Sequence, residues 1–96
     1  MRPYEIMIIL DGDAEESAIA PTLDKFLTVI TQAGGTVDNI DIWGKRHMAF
    51  PIAKKPDGLY VVVNFTATPA DAQELDRQLG LSETVLRTKL LRSDAR

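Results

Sequence analysis

Basic residues are concentrated in two short windows of the sequence, and both windows are candidates for binding phosphate groups. Between Ile42 and Pro56 there are four basic residues and no acidic one: Lys45, Arg46, Lys54 and Lys55. Between Thr84 and Ser93 there are three basic residues and again no acidic one: Arg87, Lys89 and Arg92. These windows hold 7 of the 11 Lys and Arg residues, whereas the rest of the chain has 4 basic residues and all 14 acidic ones. The net charge of −3 therefore conceals a polarised distribution, which indicates a surface that faces a polyanion. The alternative is that the two windows are solvent-exposed strand ends in which basic residues cluster by chance.

The sequence contains little that indicates catalysis or metal binding. His47 is the only histidine, and no motif joins it to a nucleophile. Gly34-Gly35 and Gly44-Lys45 lack the spacing of the phosphate-cradling loops GxxxxGK[ST] and GxGxxG. The chain has no cysteine, which excludes thiolate chemistry and disulfides and fits a reducing cytoplasm. We therefore expect no enzymatic activity, no metal and no cofactor. For His47, contact with a base or a phosphate and simple solvation are both open.

The acidic residues after the first apolar run form a second cluster with a possible role in cation binding. They are Asp11, Asp13, Glu15 and Glu16. Their spacing does not match a calcium-binding loop, so we interpret them as a solvent-exposed turn and a helix start. The two glutamates suit the positive end of a helix dipole.

Length and composition predict one soluble domain over residues 1–96. The chain is 45% hydrophobic and 26% charged, which is typical of a globular protein. No apolar run approaches the roughly 18 residues that a membrane span needs, and we expect an intracellular location.

Periodicity and turn residues predict six elements along the chain. Four segments read as strands: Tyr4–Leu10, Thr36–Ile52, Leu59–Ala67 and Val85–Arg92. A first helix carries Ile19, Leu23, Phe26, Leu27 and Ile30 at helical spacing, and we expect it to end at Gly34-Gly35 and to start late or kink at Pro21. A second helix opens at Thr68-Pro69-Ala70-Asp71, buries Ala72, Leu75 and Leu79, and ends at Gly80. We expect a bulge or bend at Gly44, a hairpin loop over Lys54–Gly58, and Leu86, Thr88 and Leu90 facing inward.

The order β-α-β-β-α-β predicts an α+β fold, the ferredoxin-like split βαβ sandwich, with two helices on one face of a four-stranded antiparallel sheet. The first and third strands are central in that topology. Met7 and Ile9 then lie beside Tyr60 and Val62 on the face that the helices leave open, and a contiguous apolar patch there predicts a partner. A stacked homodimer and an ordinary apolar sheet face are the alternatives. We expect the cations to gather at one edge of the sheet beside this patch.

Five stretches of the chain carry a resemblance to a known family. They are Met1-Arg2-Pro3-Tyr4-Glu5, Gly34-Gly35, Trp43–Lys54, Gly58-Leu59-Tyr60 and Val85-Leu86-Arg87. The most specific pattern is WGKR-x-x-A-x-P-I, which begins at Trp43. On these residues the chain resembles the bacterial small-subunit ribosomal protein six family over essentially its whole length. Met48 and Phe50 depart from the commoner leucine and tyrosine, and the tail after Leu91 is short, so a contact that longer relatives make through their tails is not expected.

The resemblance implies a structural constituent of the small ribosomal subunit that acts in translation in the cytoplasm. It implies two partners, the central domain of the small-subunit ribosomal RNA and small-subunit ribosomal protein eighteen, and neither a membrane nor a small-molecule substrate. The residues assigned to RNA contact are Arg2, Lys45, Arg46, His47, Lys54, Lys55, Arg87 and Arg92. The residues assigned to the protein partner are Met7, Ile9, Tyr60, Val62 and Lys89. Tyr4 is a further candidate for the partner face, with a place partly in the core as the alternative. Trp43 and Phe50 are candidates for packing on a base, on the partner or within the domain.

Electrostatics predicts that the partner is needed for RNA binding. Because the chain is acidic overall, we expect it to bind RNA poorly when it is alone. We expect a basic protein that covers the open sheet to complete the RNA-binding site. Two rival classes are a small-molecule-binding regulatory domain of ferredoxin-like fold and an enzyme of acylphosphatase-like fold. The enzyme would need an anion-binding loop with an arginine after the first strand. That loop is here Asp11-Gly12-Asp13-Ala14-Glu15, whose carboxylates repel anions.

Overall fold

The structure is a computed structural model that describes residues 1–12, 17, 19–52 and 55–92. These residues form six elements: β1 (Arg2–Asp11), α1 (Ile19–Gln32), β2 (Thr36–Ile52), β3 (Lys55–Ala67), α2 (Pro69–Gly80) and β4 (Val85–Arg92). The four strands make one antiparallel sheet in the order β2-β3-β1-β4. The predicted ferredoxin-like arrangement is confirmed, with β1 and β3 in the centre of the sheet.

Both helices cover the same face of the sheet, and the core lies between them and the central strands. Residues of β1 and β3 alternate between the two faces, so that Ile6 and Ile8 lie opposite Val63 and Val61 on the helix side. The helices contribute their buried stripes to the same cluster: Ile19, Leu23, Leu27, Ile30, Ala72, Leu75 and Leu79. Neither helix among the described residues is long and apolar enough to cross a membrane.

Tyr4 belongs to this core and not to the open face. Its ring is buried and stacks on Phe65, with ring centroids 5.6 Å apart. Of the two placements expected for Tyr4, the partner face and the core, the core is confirmed, because the alternation along β1 places it on the same side as Ile6.

Local signals in the sequence account for the ends of the helices. Pro21 is the third residue of α1 and lies in its first turn. Backbone N–H groups there have no partner within the helix, so a proline, which lacks this group, is tolerated. After α1 the chain turns at Gly34, whose φ is 92°, and the Gly35 N–H donates to the Ile30 carbonyl at 2.9 Å. In α2, Thr68 is the N-cap and accepts a hydrogen bond from the Asp71 N–H. Glu15 and Glu16 lie outside the described residues.

The hairpin between β2 and β3 is longer than predicted. β3 begins at Lys55 and not at Leu59, because Gly58 pairs with Arg46, Asp57 with His47 and Lys55 with Ile52. β1 ends at Asp11, opposite Gly58, so the first residues of β3 pair with β2 alone and this part of the hairpin extends past the rest of the sheet. The turn-forming residues of this segment suggested a loop, whereas cross-strand pairing holds them in a ladder. The predicted bulge at Gly44 is confirmed by a φ of 86° and a register shift between Ile42 and Gly44.

β4 follows the predicted pattern at Leu90, which packs against the core, but Val85 and not Leu86 packs there at the other end. The pairing with β1 changes between Ile9 and Leu10, so Leu86 becomes the extra residue and Val85 lies opposite Leu10. Thr88 faces the helices, since its hydroxyl donates to the Asp76 carboxylate of α2.

Candidate RNA and protein interface

The register of the sheet determines which side chains share its open face, the face opposite the helices. Three rows cross the sheet from β2 to β4. The first is Gly44, Tyr60, Ile9 and Arg87; the second is Asp41, Val62, Met7 and Lys89; the third is Asn39, Asn64, Glu5 and Leu91. The four apolar residues predicted to meet here, Met7, Ile9, Tyr60 and Val62, are thus brought together in two adjacent rows, with Lys89 beside them.

The accessible apolar surface of this group is narrower than the sequence suggests. Ile9 and Val62 are only 8% and 5% exposed, although no described helix covers them. Both belong to the two central strands of the sheet, β1 and β3. Solvent therefore meets mainly Met7 and Tyr60, which are half-buried, together with the exposed Trp43. We call this accessible group, Met7, Tyr60 and Trp43, the apolar strip.

Trp43 extends the apolar strip onto the edge strand β2. Its ring lies almost parallel to that of Tyr60, with an interplanar angle of 6° and centroids 6.4 Å apart. The indole N–H donates to the Asp41 carboxylate at 2.9 Å, which fixes the orientation of the ring. The guanidinium carbon of Arg46 lies 6.0 Å from the centre of the indole.

The two basic windows lie on opposite edges of the sheet. Lys45 and Arg46 are on β2, whereas Arg87 and Lys89 are on β4, and β3 and β1 separate them. Three interstrand spacings make this separation about 14 Å. The expectation of a single basic edge is therefore wrong, since strand order in the sheet differs from order along the chain. Arg46, Arg87 and Lys89 nevertheless share the open face and flank the apolar strip on both sides.

The remaining predicted RNA residues are not on the open face. Lys45 pairs with Leu59, Arg2 with Ala67 and Arg92 with Tyr4. Their partners are core residues, so these three side chains lie at the margins of the helix side. Lys54 lies outside the described residues, as does the side chain of Lys55. The eight candidates therefore do not form one continuous surface.

His47 has a carboxylate partner that the sequence pattern did not reveal. Its Nδ1 lies 3.1 Å from Oδ1 of Asp57, across the β2–β3 hairpin. In the sequence, Asp57 directly follows the first basic window, which runs from Ile42 to Pro56. Strand pairing places it opposite His47, near the middle of that window. This acidic neighbour opposes a phosphate at the imidazole. The sequence signal for this contact is an acidic residue next to the basic window, but Asp57 lies within the predicted hairpin loop.

The other end of the open face is polar and acidic. The Asp38 carboxylate accepts hydrogen bonds from the hydroxyls of Thr36 at 3.1 Å and Thr66 at 2.8 Å, which joins β2 to β3. Asn39, Asn64 and Glu5 follow in the adjacent row. The open face thus changes from apolar and basic to polar and acidic along the strands. In the part of the chain that the structure describes, no group of acidic or histidine side chains is arranged to hold a metal ion.

Comparison with known proteins identifies the family. The family model described as ribosomal protein S6 matches residues 3–92, which is nearly the entire sequence. The chain belongs to the ribosomal protein S6 family.

Individual relatives agree with this assignment. The chain is 64% identical over 95 residues to the small ribosomal subunit protein bS6 of Beutenbergia cavernae, a match that covers 99% of each chain. It is 55% identical to the protein of the same name from Acidothermus cellulolyticus, over 100% of both. The crystal structure of 30S ribosomal protein S6 from Thermotoga maritima is similar with a TM-score of 0.85 at 25% identity, over 95% of this chain and 86% of that one.

A further likeness concerns the fold alone. The solution structure of the C-terminal domain of the MgtC protein from Mycobacterium tuberculosis has a TM-score of 0.64 at 14% identity, over 99% of this chain and 90% of that one. A shared fold does not imply a shared function.

Family membership confirms four predictions made from the sequence. The chain is a ribosomal protein, a structural component of the small subunit, and not an enzyme. Its location is the ribosome in the bacterial cytoplasm.

Proposed function

We propose that the chain binds the central domain of the small-subunit ribosomal RNA together with small-subunit ribosomal protein eighteen. The observation that carries this proposal is the arrangement of the open face, where cations on both edge strands flank the apolar strip. Arg46 lies on one side, and Arg87 and Lys89 lie on the other. Such a surface offers burial to a protein and phosphate contacts to RNA.

The apolar strip suits a protein partner more than RNA at its centre. Met7 and Tyr60 keep accessible apolar surface, and the buried Ile9 and Val62 lie opposite them in the same two rows of the sheet. Covering half-buried apolar side chains removes their remaining surface from water, which favours association. Leu91, exposed at the β4 edge in the third row, enlarges the area available to the partner.

Charge supports a cooperative mode of binding. The net charge of −3 and the carboxylates of Asp41 and Glu5 on the open face weaken the attraction of the free chain for phosphates. A basic partner on this face would neutralise the acids and leave the flanking cations free to contact RNA. The same acids would also orient such a partner.

RNA-binding assays with a fragment of the central domain test the proposal directly. Affinity is measured for the chain alone, for protein eighteen alone and for both together, over a series of salt concentrations. We expect weak binding by the chain alone and tight, strongly salt-dependent binding by the pair. Equal affinity of the chain alone and of the pair at physiological salt would contradict the cooperative mode.

Charge variants test which surface contacts the RNA. Replacing Arg87 and Lys89 together with alanine is expected to reduce the slope of log affinity against log salt by up to about two, because two phosphate contacts are lost. Arg77→Ala is the matched control, since Arg77 is an exposed cation on α2, where it binds Glu74. Arg46→Ala and Lys45→Ala compare neighbours that lie on opposite faces of β2. An unchanged salt slope in the Arg87 and Lys89 variant would remove the β4 edge from the RNA interface.

A further inference from the structure

Trp43 is the only tryptophan of the chain, and its ring is placed where the fold does not need it. The side chain is 44% exposed and is absent from the core cluster. Its near-parallel contact with Tyr60 has a centroid distance of 6.4 Å, which indicates an offset stack that leaves part of the indole uncovered. A large aromatic ring that contributes little to the core and stays accessible is a candidate for contact with another molecule.

The backbone and a hydrogen bond hold this ring in one orientation. Trp43 is the extra residue of the bulge between Ile42 and Gly44. Gly44, opposite Tyr60, has no side chain, so the indole has room to lie beside the tyrosine ring. The hydrogen bond from Nε1 to Asp41 at 2.9 Å fixes the remaining rotation. The surface that Trp43 presents is therefore flat and ordered before any ligand arrives, which lowers the entropy lost on binding.

The groups around the ring favour a nucleobase over an apolar protein side chain. The Arg46 guanidinium lies 6.0 Å from the ring centre, and the Asp41 carboxylate lies at the ring edge. These two groups are charged and the third neighbour, Tyr60, is aromatic, whereas a pocket for an aliphatic side chain would be lined by apolar groups throughout. Arg46 lies over the indole, and an aromatic ring combined with a nearby cation is an arrangement that proteins use to stack unpaired bases and to hold the adjoining phosphate.

We propose that Trp43 is a stacking site for one unpaired base of the ribosomal RNA, with Arg46 contacting a phosphate of the same strand. This inference rests on the proposed function, because it describes how one end of the open face would contact the ribosomal RNA. The Asp41 carboxylate repels phosphate and so keeps the backbone of the strand on the Arg46 side of the ring. The base lies on the indole next to Tyr60, and the protein partner covers the remainder of the apolar strip.

Fluorine NMR tests the position of the base. The chain is labelled with fluorotryptophan, which places one fluorinated ring in the complex as long as protein eighteen is unlabelled. The resonance is recorded for the free chain, after addition of protein eighteen, and after addition of the central-domain fragment. Stacking predicts a change of the resonance when the RNA is added to the preformed pair, because the base ring current acts on the indole.

Affinity measurements with variants test the energy of the contact. Trp43→Leu in the pair is expected to weaken RNA binding roughly 5- to 100-fold, and Trp43→Phe less, because a smaller ring still stacks. Neither variant changes the number of phosphate contacts, so the salt slope is expected to stay the same. Arg46→Ala is expected to reduce that slope by about one. Far-UV circular dichroism and thermal unfolding establish that each variant is folded, and the resonance of the unmutated ring provides a test that needs no variant.

Each contrary result overturns a definite part of the proposal. A resonance that changes on addition of protein eighteen and not on addition of RNA would show that the protein covers Trp43. Full affinity of Trp43→Leu with an unchanged resonance would exclude stacking, while salt-dependent binding by the pair would leave the proposed function intact. If the wild-type pair bound no RNA, both the proposed function and the stacking site would be wrong.

Discussion

Gly35 is the residue at which the turn after α1 comes closest to the sheet. A Cβ atom added there would lie 2.5 Å from the Thr66 carbonyl oxygen and 2.8 Å from Cγ2 of Ile30. The first neighbour is backbone in the central strand β3 and cannot move alone. Any side chain at this position must therefore displace the start of β2 or the end of α1.

Gly35→Ala is expected to lower the free energy of unfolding by about 1–3 kcal/mol, the usual effect of an overpacked position. The control is Gly80→Ala at the end of α2, where an added Cβ meets nothing within 4 Å. That change is expected to be neutral or to stabilise by up to about 1 kcal/mol, since alanine restricts the unfolded chain. Urea denaturation of both variants gives the comparison. Equal stability of the two variants would contradict the close contact at Gly35.

The pKa of Glu74 is set by its neighbours on α2. Hydrogen bonds from the Arg77 guanidinium and from the Gln78 amide lower the pKa of its carboxyl from 4.5 to about 2. The carboxylate is therefore favoured in the folded chain. This contribution to stability is present above about pH 4.5 and is lost as the pH falls toward 2. Since the pair is exposed, its effect on stability at neutral pH is small.

A titration of the Glu74 carboxyl carbon by NMR is expected to give a pKa below the ordinary value of 4.5 in the unmodified chain. In Arg77→Ala the pKa is expected to rise toward the ordinary value of a glutamate, because the largest stabilising interaction of the carboxylate is lost. The melting temperature at neutral pH is expected to change little. A low pKa that persists in Arg77→Ala would assign the shift to another group.

At the scale of elements, the N-terminus of α2 is specified by a few adjacent residues. Thr68 has an extended backbone, its Oγ1 accepts the Asp71 N–H at 3.2 Å, and its hydroxyl donates to the Asp71 carboxylate at 2.9 Å. Pro69 follows at the first helical position, where its missing N–H costs nothing. These interactions are local, which is why the start of this helix was predictable.

Thr68→Ala is expected to lower the free energy of unfolding by about 1 kcal/mol, because the Asp71 N–H loses its acceptor. Thr68→Ser is the matched control, since serine keeps the hydroxyl and is an equally good N-cap. Chemical denaturation followed by circular dichroism measures the difference. A serine variant as unstable as the alanine variant would indicate that the threonine methyl group, and not the cap, is responsible.

The element that was predicted least well is the hairpin of β2 and β3. Pro56-Asp57-Gly58 has the composition of a turn, yet Asp57 and Gly58 pair with His47 and Arg46. The length of β2 decides this result, because a strand of 17 residues offers partners beyond the end of β1. Turn propensity is a local preference that a long ladder overrides.

At the scale of the whole molecule, we propose that the two faces of the sheet have different tasks. The helix side holds the core cluster, which stabilises the fold. The open face carries Met7 and Tyr60, whose remaining apolar surface is available to a partner. Two adjacent residues of β1 illustrate the difference between the faces. Ile8 is fully buried in the core on the helix side, whereas Met7 lies on the open face.

Ile8→Ala and Met7→Ala form a matched pair of truncations on neighbouring positions. Ile8→Ala is expected to cost about 2–5 kcal/mol of stability, because it leaves a cavity in the core. Met7→Ala is expected to cost less and to weaken association with protein eighteen, which denaturation and calorimetric titration measure separately. A Met7→Ala variant with unchanged partner affinity and a stability loss equal to that of Ile8→Ala would contradict this division of tasks.

The sequence by itself determined the order of the elements, the helix ends and the family, because caps, glycine turns and periodicity act between residues close in the chain. It also identified Met7 and Tyr60 of the apolar strip, since topology and alternation specify which positions share a face.

Only the tertiary structure decided how those residues are exposed and which charges meet. Strand pairing brought Asp57 to His47, and Ile9 and Val62 proved to be almost fully buried although they lie on the open face. These outcomes depend on contacts between strands distant in the chain, and no local pattern encodes them. The physical reason is that burial and electrostatic pairing follow distances in space, which strand order and register determine.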